Sequence, residues 1–224
     1  MCKIVYDENV TEEELKRLNI YIDPNCIIGE NVVLCSGVKI LKNSKINNGC
    51  ELGVNSVVIN SILEAGVKVV SSFVEDCLVG GNTTIGPFAN LKKGSKIGAN
   101  CRIGNFVEIK NSNVGDSVKI AHLTYVGDAD VGNNCNIGCG VVFCNYDGEQ
   151  KRRSVVEENV FIGSNVNIIA PVKIEKNVYI AAGSTINKDV ESGQLAVARA
   201  RQINKDNFDN PYLKNKKLNK NTQK

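Results

Sequence analysis

The sequence has no tryptophan, one histidine, one methionine and four prolines, and its aromatic share is only 5%. So few aromatics offer no platform for stacking bases, and a net charge of +3 is too small to hold a phosphate backbone. Nucleic acid is therefore not an expected partner. No apolar run reaches the length of a membrane span, and the opening MCKIVYDENV does not read as a signal peptide. The nine cysteines are odd in number and form no CxxC pair, which argues against a disulfide framework or a zinc ribbon. Reduced thiols in a cytoplasmic protein are the expectation.

What the chain has in quantity is a repeat. Aliphatic residues fall six apart at Ile22, Ile28, Leu34, Ile40, Ile46, Leu52 and Val58. The phase slips to fives and recovers between Leu63 and Ile109, runs on through Val114, Ile120, Val126, Val131, Ile137 and Phe143, and resumes from Val156 to Ile186. From Cys26 onward, the residue two before each aliphatic is a small Cys, Val, Ser, Thr or Ala. Cys50, Cys77, Cys101 and Cys135 share that slot, so they read as packing residues rather than ligands. Asparagine recurs three after the aliphatic, at Asn31, Asn43, Asn55, Asn82, Asn100, Asn134, Asn159, Asn165 and Asn177. It tolerates the left-handed backbone that a tight corner needs.

Period six, with two inward positions and a corner residue, is the hexapeptide signature of a parallel β-helix. Three hexads make one coil, so about 28 units give about nine coils and a prism about 45 Å long at one strand spacing per coil. The expected fold class is all-β. Residues 1–20 form an N-terminal cap, in which Thr11–Leu18 reads as a short helix with a Thr11/Glu14 capping box and a Val10/Leu15 staple. Residues 21–187 form the β-helix, interrupted by an extruded loop at 144–155. Residues 188–224 form a C-terminal arm and a basic tail.

Residues at one slot three units apart should stack. His122, Cys139, Ser164 and Ala182 then form a column along one outer corner. Lys92 and Lys110 stack on a different corner, with Tyr125–Gly127 next above them. Like charges stacked in this way repel unless an anion lies between them. Taken alone, His122 is a solvated turn residue and the lysines are ordinary surface residues. The context points to function: Asn136 lies one turn above His122, and the long loop CNYDGEQKRRSV is expected to leave the same region.

The run AHLTYVGDADVGNNCNIGCG, then CNYDG, FIGSNVNIIAPV and AAGSTINKDV, closely resembles a known family. It is the acetyltransferase half of the bifunctional bacterial hexapeptide-repeat enzyme that acetylates glucosamine-1-phosphate and then uridylylates the product. The resemblance covers roughly residues 21–201 and does not include the family's uridylyltransferase half. It implies a left-handed coil, a homotrimer, acetyl-CoA as acyl donor, no catalytic metal and acetyl transfer alone. Carried over residue by residue, His122 matches the catalytic base. Lys110, Tyr125, Asn136 and Lys151 match contacts to the sugar phosphate. Cys139, Asn145, Tyr146, Ser164, Ala182 and Arg199 match contacts to acetyl-CoA, with Cys139 at a position where alanine is usual. Lys92 stands where the family has arginine, and lysine lacks the bidentate fork for phosphate.

The chemistry agrees with these residue types. An amine must be neutral to attack a thioester, and an imidazole, with a reference pKa of about 6.5, can take its proton near pH 7. A backbone N–H near Cys139 is placed to meet the oxyanion of the tetrahedral intermediate. Two other functions compete. One is the same transfer to a different amino-sugar phosphate or nucleotide sugar, and the other is a non-catalytic assembly subunit. A scaffold has no need of His122, Asn136, the NYD loop or Arg199. A zinc site of the carbonic anhydrase kind requires several histidines.

Overall fold

The computed structural model describes residues 3–6, 9–209 and 211. Parts of the expected cap and tail, residues 1, 2, 7, 8, 210 and 212–224, lie outside the described residues. The repeat winds into a parallel β-helix with three sheet faces of eleven, ten and nine strands. The chain passes from the first face, through strands such as Val32–Cys35, to the second at Lys39–Leu41 and the third at Lys45–Ile46. It then returns to the first at Glu51–Leu52. Ile40, Val58, Val74, Leu91 and Ile109 lie in register up the second face, each fully buried. Each such side chain stabilises by on the order of 1.5–3 kcal/mol.

The small inward slot is where coils are bonded to each other from within. Hydroxyls of Ser44, Ser61, Ser72, Thr83 and Ser112 accept backbone N–H groups of the next coil. The thiols of Cys50, Cys77, Cys101 and Cys135 in this slot donate instead to carbonyls of the next coil. Burial pushes the thiols of Cys50, Cys101 and Cys135 up, and that of Cys77 to about 12.

Eight of the nine expected asparagines hold a positive φ at a corner. Asn43 does not. Its neighbour Lys42 turns the chain at φ 52°, and the Lys42 N–H donates to Asp23 Oδ2 at 2.6 Å. A local Asp side chain has overridden the asparagine preference there.

Helix Glu12–Arg17 has the expected capping box, with the Glu14 N–H on Thr11 and Glu14 reaching back to the Thr11 N–H. Leu18 and Ile20, just after it, are buried against the end of the coil. Two features extend beyond the sequence reading. Strand Lys3–Tyr6 pairs antiparallel with Val32–Cys35 at the outer edge of the first face. At the other end the coil continues past Ile186: Val190 bridges to Ile174, and Leu195–Ala196 pairs with Tyr179–Ile180. The spacing from Ile186 to Val190 is irregular and Ala196 replaces the large aliphatic, so no hexad was visible. Among the described residues no helix is long and apolar enough to cross a membrane.

Candidate active site

His122 ends strand Lys119–His122 on the first face, at the corner where the chain turns onto the second. That strand and Arg102–Asn105 below it are four residues long, whereas the other strands stacked above Val32–Cys35 on this face have two. Gly104 makes the extra pairing possible, because a Cβ there would lie 2.0 Å from the Ala121 carbonyl oxygen. The extension sets Asn105 directly beneath His122 in the register. The His122 ring nitrogen Nδ1 lies 2.7 Å from Asn105 Oδ1. From inside, the Thr124 hydroxyl donates to the His122 carbonyl at 2.7 Å.

The expected column stands on this corner. Backbone bonds from Gly140 N–H to His122 O (3.4 Å), Asn165 N–H to Cys139 O (2.8 Å) and Gly183 N–H to Ser164 O (2.9 Å) stack His122, Cys139, Ser164 and Ala182 in order. The Arg199 side chain passes over Gly183, beside Ala182. Next to the column, Phe88, Phe106 and Leu123 take corner positions at positive φ, an unusual backbone for bulky residues. The Phe88 and Phe106 rings are stacked with centroids 5.5 Å apart.

Lys92 and Lys110 are register partners at the opposite edge of the second face, where the chain turns onto the third. Gly127 is next above them. Glu108, on the same strand as Lys110, pairs with the Lys92 ammonium at 3.0 Å. Tyr125 sits outward on the same face between the two corners, above Glu108. Gly127 gives room to the Tyr125 hydroxyl, since a Cβ on Gly127 would lie 2.3 Å from that oxygen.

One expected placement changes. Asn136 is one coil above His122, as expected, stacking on Lys119 at the start of the strand while Cys139 lies over His122. The loop leaves from the Lys110 corner rather than the His122 corner, because it follows Phe143 of the second face and rejoins at Val156 of the third. Cys144, Ser154 and Val155 belong to strands, so the excursion itself is 145–153.

That loop is folded on its own account. Tyr146 and Lys151 form an antiparallel bridge, and Asp147 accepts from the N–H groups of Glu149 and Gln150 and from Arg152 Nε. Those N–H groups, then Arg152, hold the Asp147 carboxyl at about 2. Arg153 roots the loop: its Nε and NH2 each lie 2.6 Å from an Asp130 oxygen, and it also donates to the carbonyls of Asn111 and Ala129. The Arg153 guanidinium holds the Asp130 carboxyl below the usual carboxylate range. Asn145 is only 8% exposed, and its amide donates to Asp128 and lies 3.5 Å from the Tyr125 hydroxyl. Asp128, also 8% exposed, takes a second amide from Asn111. Sequence reasoning missed Asn105, Asp128, Asp130 and Arg153, which act through contacts between coils. Only the stacking rule could have pointed to Asn105.

An apolar concavity lined by Leu78, Ile97, Val114, Val131 and Val156 lies on the third face, and His122 is not among its lining residues. Among the described residues, no group of three or more His, Cys, Asp or Glu side chains is gathered as a metal site.

A parallel β-helix of hexads with one histidine on an outer corner defines a hexapeptide-repeat protein. Residues 76–111 and 153–188 match the family model described as Bacterial transferase hexapeptide (six repeats). More particularly, the chain is homologous to the bifunctional protein GlmU. It is 49% identical over 188 residues to that of Clostridium botulinum (strain ATCC 19397 / Type A), covering 84% of this chain and 41% of the relative. It is 47% identical over 188 residues to that of Clostridioides difficile (strain 630), with the same coverage. The chain thus spans less than half the length of these curated relatives. A solved UDP-N-acetylglucosamine acyltransferase from Campylobacter jejuni is 18% identical, with a TM-score of 0.49, over 80% of this chain and 69% of that chain.

Proposed function

We propose that this chain is an acetyl-CoA-dependent N-acetyltransferase that acetylates the amine of glucosamine-1-phosphate. Its product, N-acetylglucosamine-1-phosphate, serves the synthesis of UDP-N-acetylglucosamine for the cell envelope. The observation that carries this reading is His122, held at Nδ1 by Asn105 at the foot of a column of small residues. Identity of 49% to GlmU over the same stretch supports it. The left hand of the coil and a cytoplasmic location, where acetyl-CoA is available, belong to the same reading.

In the reaction the acceptor amine attacks the thioester carbonyl and His122 Nε2 takes the proton that the nitrogen loses. The Cys139 N–H donates to no backbone carbonyl among the described residues and is assigned to the oxyanion. As the tetrahedral intermediate collapses, the C–S bond breaks and coenzyme A leaves. Lys92, Lys110 and Lys151 meet the acceptor phosphate, with Tyr125 and Asn136 on the sugar. Cys139, Tyr146, Ser164, Ala182 and Arg199 line the donor. Asn145 supports the loop and Tyr125 from within, because its amide is already bonded inside the chain.

The active unit in this reading is a homotrimer. His122 and Lys110 occupy opposite edges of one face, and packing prisms about a threefold axis brings unlike corners together in a closed ring. A second acceptor is favoured by one observation: Lys92 stands where the resembled family has arginine, so a different amino-sugar phosphate is the alternative. The test is coenzyme A release from acetyl-CoA with glucosamine-1-phosphate, glucosamine and other amino-sugar phosphates compared side by side. Fastest release with glucosamine-1-phosphate is expected, and no release with any amino sugar would overturn the reading.

A further inference from the structure

We infer that Asn105 is the positioning residue that fixes the tautomer of His122, holding the proton on Nδ1 so that Nε2 carries the free lone pair. This deepens the proposed function and rests on its reading of His122 as the base. A neutral imidazole has one nitrogen that donates and one that accepts, and the hydrogen bond made by one nitrogen decides the role of the other. Asn105 Oδ1 can only accept, and it lies 2.7 Å from Nδ1. Among the described residues it is the ring's only hydrogen-bond partner. The opposite tautomer would place a lone pair against that oxygen and leave Nε2 protonated, with no room for the amine's proton.

The chain is built to hold this contact. Asn105 is half-buried at the end of a strand lengthened to pair with His122, and the Leu123 N–H donates to the Asn105 carbonyl at 3.0 Å. Gly104, against the Ala121 carbonyl, is what permits the lengthening. The His122 backbone is pinned on its inner side by Thr124 and above by Gly140. With both ends of the residue fixed, the ring orientation follows from the Asn105 bond. A carboxamide does this without adding a charge to a corner that is to receive an anionic substrate.

His122 is the only histidine in this chain, so the chain gives a single imidazole signal in ¹⁵N long-range NMR. In alkaline buffer, the two ring-nitrogen shifts of a neutral imidazole report its tautomer directly. The wild type is expected to show Nδ1 protonated and Nε2 bare. Asn105→Ala should shift the ring toward the Nε2–H form. It should also lower kcat about 10- to 100-fold, less than or equal to the roughly 10²–10⁴ attached to the base itself, with both KM values nearly unchanged. Asn105→Asp, whose carboxylate also accepts from Nδ1, should keep the wild-type tautomer and recover most of kcat. A wild-type ring protonated at Nε2, or an Asn105→Ala protein that keeps the wild-type tautomer and kcat, overturns the inference. The two readings fail separately. A protein with the expected tautomer and no acetyl transfer refutes the function alone, and an active enzyme with an unaltered Asn105→Ala ring refutes only the role of Asn105.

Discussion

The Lys92 ammonium lies 3.0 Å from the Glu108 carboxylate, so of the two stacked lysines it is Lys92 that has a counter-ion from the chain itself. Lys110 has no such carboxylate partner among the described residues. An exposed pair of this kind contributes about 0–1 kcal/mol, so Lys92 is held only lightly. Lys110→Ala should therefore raise the acceptor KM by roughly 10- to 100-fold, the worth of one charged hydrogen bond. Lys92→Ala should raise it by about two- to fivefold. Steady-state kinetics with both substrates varied check this, and equal effects on the acetyl-CoA KM would place the lysines elsewhere.

His122→Ala should lower acetyl transfer by roughly 10²–10⁴ while leaving circular dichroism and Tm close to wild type. The side chain is exposed on a corner and no second histidine exists to replace it. Wild-type turnover in this variant at neutral pH would sink the mechanism.

Subunit sharing can be tested by mixing His122→Ala and Lys110→Ala proteins under conditions of subunit exchange, assayed at an acceptor concentration far below the raised KM of the Lys110→Ala protein, where neither variant alone turns over appreciably. Recovered activity is expected, because some interfaces in the mixed trimers combine an intact His122 with an intact Lys110. A fully active monomer on size-exclusion chromatography refutes the shared site.

Arg153→Ala should loosen the 145–153 loop, and the effect should depend on pH. Arg153 depresses the Asp130 carboxyl in the folded state. A depressed carboxyl contributes stability that is present above its unfolded value, about 3.9, and is lost as pH falls through the folded value. The Tm difference between wild type and variant should therefore be constant near neutrality and shrink below about pH 4. Both side chains are more than a third exposed, so the difference is small. A gap that widens in acid contradicts the pairing.

Thiol reactivity should sort the cysteines by slot. In the native protein at about pH 8, Cys77, with its thiol pushed to about 12, and the other inward thiols should resist an aromatic disulfide reagent. All nine cysteines should react once the coil is unfolded. Rapid labelling of Cys77 in the native state is the adverse result.

The hexad was legible because each coil repeats one packing problem, and Ile40, Leu91 or Ile120 solves it with the same residue type. The His122–Ala182 column followed from the same arithmetic. Other features had no periodic signal. Strand Lys3–Tyr6 is defined by its partner Val32–Cys35, and the last coil hides behind Ala196 in place of a large aliphatic. The corner from which the loop leaves, by contrast, is fixed by Phe143, four units after Ile120 and so on the second face with Val126. Asn105, Asp128 and Arg153 look like ordinary corner or loop residues until coils are stacked, because their partners lie 17 to 42 positions away in sequence.

A coil of parallel strands ends in an open edge whose N–H and C=O groups could template another molecule and grow a fibre. Strand Lys3–Tyr6 covers that edge at Val32–Cys35 and runs the other way. A second prism arriving to continue the winding therefore meets donors and acceptors in the wrong polarity. On that face the short reversed strand blocks any continuation of the parallel winding.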